Sequence, residues 1–223
     1  MEQYKQDFSR PDKEWTNKFK EIPSPIIGDV MGRQNIMDAR LQPRWDGAKI
    51  VGPAFTVITY PSDNLMIHVA VKYAKPGDVL IIDAGNYPNA GLWGEILTVN
   101  AVKREIEGVI LDGGVRDVAE IAELKFPLFS SSINARGGYK VNPGKINIST
   151  SCGGVSVNPG DLIVADENGI AVIPQNDIER IYNLCVEKLA SEEVTMKQLA
   201  EGANTFDLMG MDKTLKDAGV EIL

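Results

Sequence analysis

The chain has 223 residues, 43% of them hydrophobic, and a net charge of −8 with a pI near 4.8. That content suffices for one sizeable core, and the acidity excludes the basic stripe that a nucleic acid or an anionic membrane surface would need. Two cysteines, Cys152 and Cys185, are too few for a disulfide framework and too far apart for a CxxC site, so both are expected to be reduced.

The opening MEQYKQDFSRPDKEW is polar and does not read as a signal peptide. No apolar run approaches the roughly 18 residues of a spanning helix, so a cytoplasmic protein is expected. DKEWTNKFKEI reads as an amphipathic helix ended by PSP, because proline removes a donor and restricts its neighbour. A second short helix is expected near IIGDVMG. GAKIVGPAFTVITY, residues 47–60, is β-branched and aromatic between glycine and proline breaks, and reads as one or two strands. Asp63 then caps a helix NLMIHVAVKYA that stops at KPGD. This segment, with NPGK and NPGD further on, supplies turns that feed strands.

DVLIID, residues 78–83, is a nearly continuous apolar run, as in a strand buried on both faces. A glycine-rich loop is expected to follow and to open a helix whose apolar positions are Trp93, Ile96, Leu97, Ala101 and Ile106. GVILDGG is the next strand, and VAEIAELK the next helix. The order βαβα favours a parallel sheet with the ligand site at the carboxyl ends of its strands. From FPLFSSS onward the pattern changes to short strands, INIST, GVSV, LIVAD and GIAVIP, with ENG as a hairpin turn. NDIERIYNLCVEKLASEEVTMKQLAEG carries the apolar stripe of a long helix. The expected organisation is an N-terminal helical extension over 1–24, an α/β core over 25–175, and a C-terminal helix and tail over 176–223.

His68 is the only imidazole, so any Ser-His-Asp, Cys-His or His-rich zinc chemistry would have to run through it. It is assigned a structural role on the helix after Asp63. No G-x-G-x-x-G, Walker A or G-x-S-x-G pattern is present. Carboxylates, an arginine and helix N-termini remain. Glu95 begins the helix after the glycine-rich loop, and Arg116 and Asp117 follow the next strand, at spacings of 116 − 95 = 21 and 117 − 95 = 22. That is about one helix plus one strand, which delivers all three to one edge of the sheet. Free amides at the helix start, including those of Ile96 and Leu97, can bind a carboxylate or enolate oxygen. Arginine offers a planar fork to a carboxylate, and aspartate is a hard ligand for Mg²⁺ or Mn²⁺. The plainer reading is equally open at this stage: Asp117 caps a helix, Arg116 is its solvated neighbour, and Glu95 is a first-turn carboxylate.

GEILTVNAVKREIEGVILDGGVRDV, together with GPAFTV, DNLMIH, KPGDVLIID and CGGVSVNPGDLIVADENGIAVIP, resembles the family of regulator-of-ribonuclease-activity-A-like (RraA-like) proteins and 4-hydroxy-4-methyl-2-oxoglutarate aldolases. The resemblance covers roughly residues 25–190. It implies an RraA-like swivelling β/β/α fold, similar to the phosphohistidine domain, assembled as homotrimers or homohexamers with sites between subunits. It also implies a divalent-metal pyruvate aldolase that decarboxylates oxaloacetate as a side activity. Carried over by motif, the metal ligand is Asp117, the pyruvate-binding arginine is Arg116, and the acid that orders a proton-transferring water is Glu95. The substrate-holding amides are those of Ile96 and Leu97. A further metal-facing glutamate from a neighbouring copy falls on Glu192 or Glu193. The ribonuclease-regulator branch generally lacks the intact R-D pair that this sequence keeps. The alternatives are a non-catalytic regulator or adaptor of ribonuclease activity, and another metal-assisted sugar-acid lyase or hydratase.

Overall fold

The structure is a computed structural model describing residues 7–220. Two short helices come first, α1 (Lys13–Phe19) and α2 (Ser24–Val30), with Pro23 and Pro25 at the start of the second where no amide donor is required. Phe19 is fully buried and meets Tyr182 edge to face at 5.6 Å. Ahead of α1, Arg10 forks onto the buried Asp78 carboxylate with bonds of 2.6 and 2.7 Å.

Then follow β1 (Gln42–Pro43), β2 (Ile50–Ile58), α3 (Leu65–Tyr73), β3 (Val79–Trp93), α4 (Glu95–Lys103), β4 (Gly108–Val115), α5 (Val118–Glu123) and β5 (Leu128–Ile133). Strands β2, β3, β4 and β5 are mutually parallel neighbours, as the βαβα order requires. Segment 47–60 forms a single strand, yet it serves three partners. Ile50–Pro53 pair with β9 (Leu162–Asp166), Ala54–Ile58 pair with β3, and Val57 and Ile58 pair also with β6 (Lys145–Ile146). The remaining short strands are β6 (Lys145–Ile146), β7 (Thr150–Cys152), β8 (Val155–Val157) and β10 (Gly169–Ile173), so INIST is divided between β6 and β7. Glu167 and Asn168 make the β9–β10 turn, within the ENG expected there. Gly153 and Gly154 turn β7 into β8 with φ of 55° and 76°, the left-handed pair that a two-residue hairpin needs.

The two faces of the sheet carry separate apolar clusters. One gathers Phe55, Leu80, Ile82, Leu92, Trp93 and Leu128 beneath α3, α4 and α5. The other gathers Ile50, Ile81, Ile110, Phe129 and Ile163 beneath the β7–β8 hairpin. Alternation along each strand sends neighbouring residues to opposite clusters, and each fully buried Leu, Ile or Phe contributes about 1.5–3 kcal/mol.

The expected glycine-rich loop is instead part of β3. Between Asp83 and Trp93 the strand bulges, with Gly85 and Asn86 left-handed at φ 65° and 52°, while only Asp112 to Val115 of β4 run opposite, so the ladder shifts register three times. Turn-forming residues suggested a loop, but parallel pairing at both ends holds the excursion in the sheet.

Contact density separates the chain at Tyr182 and Asn183, inside α6 (Ile178–Ala200). The second unit holds the rest of α6, α7 (Thr205–Leu208) and α8 (Met211–Asp217). No helix among the described residues is long and apolar enough to cross a membrane.

Candidate active site

The last rungs of β3 and β4 bring the expected residues together. Trp93 pairs with Val115, and the Arg116 amide donates to Trp93 O at 2.9 Å, so the chain leaves both strands at one level. Buried Trp93 lies parallel to Phe126, and its indole N–H donates to Thr98 Oγ1 at 2.8 Å. Thr98 Oγ1 and the Thr98 amide both donate to Gly94 O at 3.1 Å. These bonds fix where α4 begins. Thr98 N to Gly94 O is the first bond of the helix, leaving the Ile96 and Leu97 amides without intrahelical acceptors.

Asp117 occupies the N-cap position of α5, but its side chain makes no capping bond there. Its Oδ2 instead accepts the Glu95 amide of α4 at 3.0 Å. Asp117 therefore does not cap its own helix, and its carboxylate takes up a free amide at the start of α4 instead. The residue also sits in the left-handed region, with φ 55° and ψ 42°, a conformation that costs a non-glycine residue stability and recurs at functional sites. Arg116 Nε lies 3.6 Å from Asp117 Oδ2, with side chains 43% and 38% exposed. At that exposure an ion pair contributes at most about 1 kcal/mol, so stability alone is a poor reason for the arrangement.

Gly94 makes the approach possible. A Cβ on it would lie 2.4 Å from Asp117 Oδ2 and 3.1 Å from Arg116 Cγ. Other acids at the same strand ends are committed to the fold. Asp83 accepts from Gly85 N and Thr150 Oγ1, and Asp112 accepts from Arg40 and Gly153 N.

Arg116 and Asp117 line a cavity of about 280 Å³ with Asn64, His68, Ile96, Leu97 and Lys140. Larger cavities open elsewhere, including one of about 480 Å³ beside Lys20, Lys49, Glu107 and Asp166. There Asp166 is taken up by Ser24 and Asn168, and no arginine, helix start and free carboxylate converge. The smaller cavity has the chemistry. Its cationic groups suit an anionic ligand, and its free amides suit a developing negative oxygen.

His68, expected to be structural, is among the residues lining this cavity. Burial, and then the positive charge of Lys140, hold its pKa below the ordinary histidine value. Asn64 and Lys140 also escaped the sequence reading. Asp63, expected as a cap, does bond Leu65 N at 2.8 Å. Its second oxygen receives Val141 N and Asn142 N, which anchors the segment carrying Lys140.

Among the described residues, no three acidic, histidine or cysteine side chains cluster as a metal cage. Asp117 is nevertheless suited to a hard cation of the Mg²⁺ type. Such ions are held by one or two carboxylates, with substrate and water completing the shell. Glu192 and Glu193 lie in the second unit, where Lys188 approaches Glu192 at 3.3 Å and Lys197 approaches Glu193 at 2.7 Å.

The Aldolase/RraA model of the RraA-like family matches residues 24–172, and the chain belongs to that family. A Halalkalibacterium halodurans protein whose name proposes a 4-hydroxy-4-methyl-2-oxoglutarate aldolase is 32% identical over 193 residues, covering 86% of this chain and 92% of that one. An uncharacterised protein of Methanocaldococcus jannaschii is 32% identical over 176 residues, 77% of this chain and 84% of its own length. Among solved structures, Streptomyces coelicolor RraAS2, described as an unusual member of the RNase ES inhibitor RraA protein family, aligns with a TM-score of 0.77 at 24% identity. That alignment covers 85% of this chain and 100% of the other, and at this identity it speaks for the fold.

Proposed function

We propose that this chain is a divalent-metal-dependent lyase that cleaves 4-hydroxy-2-oxo acids of the 4-hydroxy-4-methyl-2-oxoglutarate type to pyruvate, with oxaloacetate decarboxylation as a side reaction. The observation that carries the reading is the Asp117 carboxylate, turned away from its own helix and held at the start of α4 beside Arg116. The aldolase-named relatives support the class of reaction.

Asp117, with Glu192 or Glu193 of a neighbouring copy, would hold Mg²⁺ or Mn²⁺, which would supply Lewis acidity toward a 2-oxo acid. Arg116 grips the substrate carboxylate with its planar fork. The Ile96 and Leu97 amides donate where negative charge grows on the enolate oxygen, and they need no reorganisation to do so. Glu95, exposed at the start of α4 though not among the residues lining the cavity, orients a water that moves a proton to or from C3 of pyruvate. Aldol cleavage and decarboxylation both pass through this enolate, so one set of groups serves both. The assembly is a homotrimer or homohexamer in the cytoplasm, and the exposed apolar residues Ile96, Val99 and Val102 on α4 favour burial against another copy.

The deciding experiment incubates the protein with 4-hydroxy-2-oxo acids and oxaloacetate, with and without Mg²⁺ or Mn²⁺, and detects pyruvate by a coupled assay. Metal-stimulated pyruvate release is the expected result. Its absence with every substrate would favour the ribonuclease-regulator reading suggested by the RraA-named structural relatives.

A further inference from the structure

The guanidinium of Arg116 has no hydrogen-bond partner among the described residues, and its contact with Asp117 is long, 3.6 Å from Nε to Oδ2. An arginine stem left to itself samples many rotamers. Three glycines stand where side chains would meet this one, and they follow it along its length. A Cβ on Gly91 would lie 3.0 Å from Arg116 Cβ and 3.2 Å from Cγ. One on Gly94 would lie 3.1 Å from Cγ and 3.3 Å from Nε, and one on Gly137 would lie 3.1 Å from Nη1. All fall inside the roughly 3.5–4.0 Å at which non-bonded carbons pack best.

The three glycines are not equivalent. Gly91 pairs with Gly137 in a parallel bridge, its amide donates to Arg136 O at 2.6 Å, and a Cβ on it would lie 2.4 Å from Asn134 O. A Cβ on Gly94 would meet Asp117 Oδ2 as well. Close packing against groups other than the arginine thus asks for glycine at both positions. Gly137 is different. Its φ lies outside the left-handed region, so any residue could adopt its backbone conformation. Chain neighbours aside, the only described atoms within 4 Å of a Cβ there would be Nη1 and Cζ of Arg116. Neither backbone nor packing elsewhere calls for glycine at this place in the cavity wall; the guanidinium does.

We propose that Gly91, Gly94 and Gly137 form a slot that positions Arg116 by shape, with Gly137 fixing the guanidinium end. They are positioning residues, since they act through the arginine. A hydrogen-bonded clamp would occupy donors of the guanidinium, whereas a steric slot leaves them for a ligand. The rotamer freedom of the stem is lost when the chain folds, so that cost does not fall on binding. This inference rests on the lyase reading above, in which Arg116 grips the substrate carboxylate.

The test is a double-mutant cycle on pyruvate binding, read by titration calorimetry in the metal-loaded protein. Gly137→Ala is expected to weaken binding by about 10-fold, the scale of one impaired hydrogen bond to a charged group, with the melting temperature unchanged. In an Arg116→Lys background, which has no Nη1 to displace, the same change is expected to cost nothing further. An equal loss in both backgrounds means that the added methyl group acts by narrowing the cavity, and it overturns the inference while leaving the lyase reading intact. Unchanged binding in Gly137→Ala does the same, and so does a Gly137→Ala protein that cannot fold, because the fold would then require this glycine. A wild type that neither binds nor releases pyruvate overturns the lyase reading and this inference with it. A second measurement needs neither ligand nor glycine variant. The Arg116 Nε–H signal, recognised by its loss in Arg116→Lys, is expected to be as rigid as the backbone, with an NMR order parameter of about 0.85. A value below about 0.6 means that no slot holds the side chain, and it overturns the proposal.

Discussion

The Asp117 carboxylate is bonded to the backbone of Glu95, 22 residues earlier in the chain, through a 3.0 Å hydrogen bond from the Glu95 amide to Oδ2. One atom thus ties the end of β4 to the first residue of α4. The candidate metal ligand, the arginine beside it and the free amides of the helix start are fixed by one short circuit of bonds. A displacement of any member moves the others.

Asp117→Asn separates charge from geometry. Asparagine tolerates the left-handed backbone and its side-chain oxygen can still accept the Glu95 amide. The variant is expected to fold and melt within a few degrees of wild type but to lose Mg²⁺ or Mn²⁺ binding by titration calorimetry, and with it pyruvate release. Excess chelator should silence the wild type in the same way, reversibly on adding metal.

Gly94→Ala tests the close approach. Its Cβ would press on Asp117 Oδ2 from 2.4 Å, so the carboxylate and the arginine must shift. A displacement of about 1 Å at reacting groups costs on the order of 10²-fold in rate. A loss of kcat/KM on that scale is expected in a protein whose circular dichroism is unchanged, and near-wild-type turnover would show that the contact is incidental.

Arg116 and Glu95 have different tasks and should fail differently. Arg116→Lys keeps the charge and loses the planar fork, so both KM and kcat should suffer. Glu95→Gln should lower kcat by roughly 10²- to 10⁴-fold with little change in KM. Exchange of the pyruvate methyl protons in D₂O isolates the proton path. Wild-type exchange in Glu95→Gln would reduce Glu95 to an ordinary first-turn carboxylate.

The pH dependence of stability has a contribution from His68. Its burial and the nearby Lys140 depress its pKa below the ordinary value of about 6.5. As pH falls the unfolded ring takes up its proton first, so the stability that comes from burying the ring neutral is fully present above about pH 6.5 and is lost in acid below it. His68→Gln removes this titration and should flatten the acid side of a plot of melting temperature against pH.

Glu95, Arg116 and Asp117 were legible because a βαβα pattern forces consecutive strands to end at one edge, and because the motif around them resembles a known family. Which helix start the Asp117 carboxylate serves was not legible, since a left-handed N-cap whose side chain turns to another helix leaves no mark in the sequence. Asn64 and His68 stood in view at helical spacing, but nothing local says that this face of α3 looks onto the ends of β3 and β4. Lys140 sits in an aperiodic segment placed by Asp63, a bond across 78 residues to Val141. The run from Ala84 to Leu92 reads as a loop because its glycines, asparagines and proline are turn formers, and Gly85 and Asn86 do turn left-handed, while the pairing that keeps the rest in the sheet comes from a distant strand.

The parallel pairing of β3 with β4 has a kinetic consequence. Each parallel rung requires a closed crossover, with a helix, before any contact rewards the lost chain entropy, so such sheets form slowly. The Glu95–Asp117 bond lies at the far end of that ladder and has no local substitute. During refolding, affinity for the divalent ion should therefore emerge with the slowest cooperative phase and be absent from the early collapsed chain. A newly made molecule would acquire its chemistry as the last event of its folding.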